Sequence, residues 1–129
     1  MHNSKRVLLL ILGFSLLLAA CINLTLEQSD QAALESLREA GSDLSKPHPF
    51  DFYLYHNNKS GAQRLCGELN KMGFQVNVRE GAIENEWLCL ARQNFIPSEN
   101  KLAELSQVFE ELISTYGGEY DGWETIVID

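Results

Sequence analysis

Apolar and polar positions follow two distinct periods along this chain, after a first stretch that has no period at all. Val7 to Leu18 is an almost unbroken apolar run. From Ser29 onward, Ala33, Leu34, Leu37 and Ala40 recur at three- and four-residue spacing. That spacing predicts a helix with Ser29 as N-cap and Gly41 as its stop. Gly41-Ser42-Asp43 forms a turn, and the two prolines of Lys46-Pro47-His48-Pro49 forbid helix and deliver the chain extended. Phe50 to His56 then alternates Phe50, Phe52 and Leu54 against Asp51, Tyr53 and Tyr55, the period of a strand. Lys59 to Met72 returns to helical spacing with Ala62, Leu65, Cys66 and Leu69 on one face, closed by Gly73. Phe74 to Val78 and Trp87 to Arg92 read as two strands of a hairpin turning at Gly81 to Asn85. Pro97-Ser98 opens a last helix whose stripe runs from Leu102 to Tyr116 and stops at Gly117-Gly118, and Tyr120 to Ile128 supplies the final strand.

This order predicts an α+β domain of the ferredoxin-like split βαβ type, β-α-β-β-α-β, with an extra N-terminal helix. The alternation also assigns faces. With Phe50, Phe52, Leu54, Trp87, Cys89 and Ala91 toward the helices, Tyr53, Tyr55, Leu88 and Leu90, joined by Ile126 and Ile128, fall on the opposite face. Such a large apolar surface needs a cover: the helix at residues 30 to 40, a second copy forming a homodimer, or another protein.

The leader changes which residues belong to that domain. Lys5 and Arg6 precede the apolar run, Ala19-Ala20 follow it, and the pattern ends at a cysteine. Leu18-Ala19-Ala20-Cys21 resembles the bacterial lipobox, which implies cleavage before Cys21 and a lipid on that residue as membrane anchor. The expected organisation is a signal peptide over 1–20, a lipidated Cys21 with a tether over 21–28, and the folded domain over 29–129. An uncleaved span would need roughly 20 apolar residues, more than the run to Ala20 offers, and its basic start would export the same C-terminal domain. Ile22 stands where lipoproteins kept in the inner membrane often carry Asp. The expected location is therefore the cell envelope on the periplasmic side, at the outer rather than the inner membrane in a Gram-negative cell.

Removing the leader sharpens the charge. The whole chain carries −8, and without Lys5 and Arg6 the remaining 8 basic residues face all 18 acidic ones, a net charge of −10. That field repels phosphate backbones, so direct nucleic-acid binding is disfavoured while a basic protein partner fits.

Three stretches carry a family resemblance: Gly41-Ser42-Asp43 after the first helix, Gly73-Phe74 before the second strand, and Glu119-Tyr120-Asp121-Gly122-Trp123 followed by Thr125. Together they resemble the family of the regulator of ribonuclease E activity B, RraB, over about residues 30 to 128. The resemblance implies a small acidic ferredoxin-like, non-catalytic protein-binding module. Its best-known members bind the ribonuclease in the cytoplasm and inhibit RNA processing, whereas the leader directs this chain out of the cytoplasm.

Candidate chemistry is sparse. Tyr120, Asp121 and Trp123, with Tyr53 and Tyr55 on the open sheet face, are the candidate partner-binding residues; the alternative is that Gly122 permits a bulge and Trp123 fills the core. Cys66 and Cys89 lack redox or zinc spacing. A helix resting on a sheet sets facing Cα atoms roughly 7 to 8 Å apart, which favours two buried small side chains over a disulfide. His48 and His56 are too few and too far apart for a metal cluster and read as solvated or capping residues. Glu110-Glu111, Glu119, Asp121 and Glu124 read as surface charge rather than a catalytic pair, and no cofactor, metal or catalytic residue is expected. Asn23-Leu24-Thr25 and Asn58-Lys59-Ser60 match a glycosylation sequon but carry no weight beside a bacterial leader. Two other classes of function remain: an envelope enzyme or small-ligand carrier with a sheet-side pocket, marked by a cleft gathering His56 with carboxylates, and a self-associating envelope component, marked by a dimer through Tyr53, Tyr55 and Leu90.

Overall fold

The computed structural model describes residues 30–129, together with the backbone of Arg6 and Val7. The lipidation residue Cys21, the tether and the Ser29 cap lie outside the described residues. In chain order the elements are β1 (Arg6–Val7), α1 (30–39), β2 (His48–His56), α2 (Lys59–Lys71), β3 (Gln75–Glu80), β4 (Trp87–Phe95), α3 (Glu99–Tyr116) and β5 (Glu119–Ile126).

The sheet runs β1-β5-β2-β4-β3 with every pairing antiparallel. From β2 onward this is the ferredoxin-like arrangement, in which α2 carries the chain past the place that β4 later fills and α3 carries it back past β2. Local chemistry sets the ends. Asn58 caps α2 by accepting from the Gly61 amide, Ser98 caps α3 by accepting from the Lys101 amide, and Gly117 at φ 83° ends α3. β2 starts two residues earlier than Phe50 because His48 and Pro49 pair with Phe95 and Asn94 of β4; the Pro49 carbonyl also accepts from the Thr125 hydroxyl at 2.8 Å.

All three helices cover one face. Leu37 of α1, Leu65 and Leu69 of α2, and Leu102 and Phe109 of α3 join Phe50, Phe52, Leu54 and Trp123 in one core. The helix at 30–39 is therefore not a cover for the opposite face, as one reading of the sequence had it. That opposite face is also less apolar than strand alternation suggests. Tyr53, Tyr55 and Leu90 are there, half-buried, but Asp51 and Arg92 form a two-pronged ion pair across it at 2.6 and 2.9 Å. The Tyr53 hydroxyl donates to Glu124 at 2.8 Å, so aromatic and charged groups satisfy one another there.

Cys66 and Cys89 are joined by a disulfide, against the expectation of two separate buried side chains; their Cα atoms lie 5.6 Å apart. Cys66 on the buried face of α2 and Cys89 on the inner face of β4 thus come closer than the roughly 7 to 8 Å expected of a helix resting on a sheet.

The Gly41-Ser42-Asp43 turn is an architectural knot. Gly41 takes φ 98° at the end of α1, and the Asp43 amide donates to the Ile128 carbonyl at 2.7 Å. The Ser42 hydroxyl accepts from the Ile128 amide at 3.0 Å and bonds Nε2 of His48. His48 is fully buried, its Nδ1 bonded to the Lys46 carbonyl, because this knot supplies both ring nitrogens with partners. It is neither solvated nor a helix cap.

Candidate functional site

The Tyr120-Asp121-Gly122-Trp123 segment is built around a β-bulge. Tyr53 pairs with Gly122 but Leu54 pairs with Tyr120, so Asp121 is the extra residue, and Gly122 takes φ 114° beside it. The inserted residue shifts the strand's parity. Tyr120 and Trp123, three apart and hence destined for opposite faces in a regular strand, both point into the core. Trp123 is 1% exposed and its indole N–H donates to the Asp30 carboxylate at 3.1 Å. The reading of Trp123 and Tyr120 as exposed recognition groups thus gives way to packing. Burial raises the Tyr120 phenol well above its usual pKa, with the Asp30 carboxylate adding to the effect. Burial also lifts the Asp30 carboxyl above its usual range, partly offset by the indole bond.

Asp121 remains half-buried at the bulge, and its carboxyl is raised by desolvation and then by Glu119. Glu119 and Tyr55, with which Asp121 interacts electrostatically, line a cleft. There the end of β2, the β3–β4 turn and the α3–β5 connection converge on a concavity of ≈ 460 Å³, lined by Tyr55, His56, Asn57, Glu84, Asn85, Glu86, Gly117, Gly118 and Glu119. Among the described residues, three carboxylates and no lysine or arginine line it. Burial raises the Tyr55 phenol, helped by Asp121 and Glu86, as expected beside negative charge.

His56 forms the floor of this cleft and is tied on both sides. Its Nδ1 accepts from the Asn58 amide at 3.2 Å, which leaves Nε2 to donate to the Tyr116 carbonyl at 2.9 Å. Gly61 and Gly118 lie against this corner because no larger residue fits: a Cβ on Gly61 would overlap the His56 ring, and one on Gly118 would overlap the Tyr55 carbonyl. The imidazole is therefore a structural brace committed to the backbone.

Of the residues singled out in the sequence, the structure brings Tyr55, His56 and Glu119 to this cleft, with Asp121 acting on Tyr55 through its charge. Tyr53 lies on the sheet face away from the helices, bonded to Glu124, and Glu110 and Glu111 lie exposed on α3. Glu84 and Glu86 have no sequence signal beyond two acids in the β3–β4 turn, which strand pairing brings opposite the end of β2. Among the described residues, no cluster of three or more His, Cys, Asp or Glu side chains could hold a metal ion, and no helix is long and apolar enough to cross a membrane.

Residues 27–125 match the protein family described as Regulator of ribonuclease activity B, RraB, a span that includes the Gly-Ser-Asp knot and the Tyr-Asp-Gly-Trp bulge. No curated protein matches the chain.

Proposed function

This chain belongs to the RraB family, and on that premise we propose that it is an exported, lipid-anchored, non-catalytic domain that regulates a protein partner by binding a basic segment of it in the acidic cleft. The observation that carries the binding reading is the cleft's make-up. Glu84, Glu86 and Glu119 present negative charge, while His56 is bonded to backbone through both ring nitrogens. Such a pocket holds a cation but offers no poised proton-transfer pair. A mature charge of −10 steers a basic partner toward it.

Export is supported by three features: the lipobox-like Leu18 to Cys21 ahead of the matched region, the basic start at Lys5-Arg6, and a buried disulfide of the kind that persists outside the cytoplasm. Palmitate labelling of a C-terminally tagged protein, with membrane fractionation and protease treatment of spheroplasts, tests it. Labelling lost in Cys21→Ala, with a protease-accessible domain in the wild type, is the expected result. An unlabelled cytoplasmic protein overturns export and makes inhibition of ribonuclease E the leading function.

A second reading is favoured by the same cleft, whose volume also suits a small ligand and which does gather His56 with carboxylates. Titrating the processed protein with an arginine- and lysine-rich decapeptide, and separately with spermidine, discriminates the two. Peptide binding that falls at least about tenfold in Glu84→Gln/Glu86→Gln/Glu119→Gln, equivalent to about 1.4 kcal/mol, supports the regulator. Spermidine binding as tightly as the peptide supports the small-ligand carrier.

A further inference from the structure

We propose that the Cys66–Cys89 disulfide is a maturation switch: it fixes the α2–β3 edge of the domain, and with it the acidic cleft, only after the chain has entered an oxidising compartment. The inference rests on the cleft and export readings above, and it says when the site becomes competent.

The bond's position carries the argument. It joins the buried face of α2 to the inner face of β4, with Cys66 and Cys89 only 3% and 0% exposed. A closed bond there is shielded from solvent thiols. Between the two cysteines, 23 positions apart in sequence, lie the end of α2, all of β3 and the turn bearing Glu84 and Glu86. Among the described residues β3 is the least buried strand of the domain: it pairs with β4 alone, and Val76 and Val78 are its only half-buried residues. A segment with so little burial opens more readily than the rest of a fold. The disulfide closes, from within the core, a loop whose own strand is held by little burial.

The same bond bears on one wall of the cleft and on its floor. One wall is the turn that the loop encloses. The floor, His56, is braced by Gly61 at the first turn of the helix that Cys66 anchors. In the cytoplasm the two thiols stay reduced, so the precursor lacks this staple. After export, two thiols lose two protons and two electrons to the disulfide of a thiol–disulfide oxidoreductase, which becomes a dithiol, and the S–S bond forms. An acidic, partner-binding domain is thereby kept from engaging basic partners during its passage through the cytoplasm.

The test uses the processed protein extracted from membranes, oxidised or treated with dithiothreitol, alongside Cys66→Ala/Cys89→Val, which keeps the core filled. Reduction is expected to lower Tm by roughly 10–20 °C, from the entropy of opening a loop of this length and the unfolding entropy of a domain of this size. At 15 °C, where the core stays folded, amide exchange over residues 75–86 is expected to rise and binding of the basic decapeptide to fall at least about tenfold. Unchanged exchange over 75–86 on reduction overturns the switch, whatever the peptide does. An oxidised protein that ignores the peptide sinks the cleft reading instead, and the switch then stands or falls on exchange alone. Thiol trapping in cells separates export from oxidation: blocked cysteines in the wild type and reactive ones in a leaderless chain are expected. Reactive cysteines on an exported, palmitoylated protein overturn the switch while leaving export intact.

Discussion

Replacing Gly61 with alanine sets two known effects against each other. Gly61 lies inside α2, where alanine is the better helix former by about 1 kcal/mol. Its new Cβ, however, would overlap the His56 ring atoms Cε1, Nδ1 and Nε2. The ring can relieve the overlap only by swinging away, which breaks its bonds to the Asn58 amide and the Tyr116 carbonyl. Two lost hydrogen bonds cost about 1 kcal/mol each, and residual crowding adds about another 1. The net expectation is a destabilisation of about 2 kcal/mol, read as a fall in the urea midpoint at constant m-value. The decisive control is the same substitution in a His56→Ala background. There the obstruction is gone, the helix term acts alone, and Gly61→Ala should stabilise by up to about 1 kcal/mol. A coupling of about 3 kcal/mol with a change of sign is the prediction. A Gly61→Ala protein at least as stable as wild type would refute the bracing role of His56, and with it the account of the cleft floor.

The Asp30–Trp123 bond gives a prediction in pH. Because burial raises the folded-state pKa of Asp30, the ionised carboxylate weakens the fold. That penalty is absent below the unfolded pKa of about 3.9 and complete once pH has risen through the raised folded value. Asp30→Asn keeps an acceptor for the indole N–H without the charge, so it should gain stability relative to wild type between pH 3.5 and pH 7, as urea unfolding at both values will show. Asp30→Ala, which strands the buried indole N–H, should cost about 1–3 kcal/mol at pH 3.5. At the Gly-Ser-Asp knot, Ser42→Ala removes the partner of both the buried His48 Nε2 and the Ile128 amide. A loss of about 1–3 kcal/mol, with faster amide exchange at Ile128, is expected; unchanged exchange there would mean the knot does not hold the chain's end.

The sequence by itself determined the elements and their order. Apolar residues at three- and four-residue spacing mark helices and alternation marks strands wherever one face is buried, and Asn58, Ser98, Gly73 and Gly117 mark helix ends because backbone groups there need partners or a positive φ. It also foresaw which β2 residues face the helices, since period two survives intact from Phe50 to Leu54. The Arg-Asp pair, the Tyr-Glu bond and the acidic cleft are encounters between residues far apart in sequence, and no local rule sets those distances. Only tertiary structure decided them. The bulge at Asp121 is the clearest case: one inserted residue reverses the parity that alternation relies on, sending Tyr120 and Trp123 to the same side. The disulfide is the other. Whether two cysteines bond turns on an ångström or two in the approach of helix to sheet, here 5.6 Å between Cα atoms, a collective property of the fold that no spacing along the chain encodes.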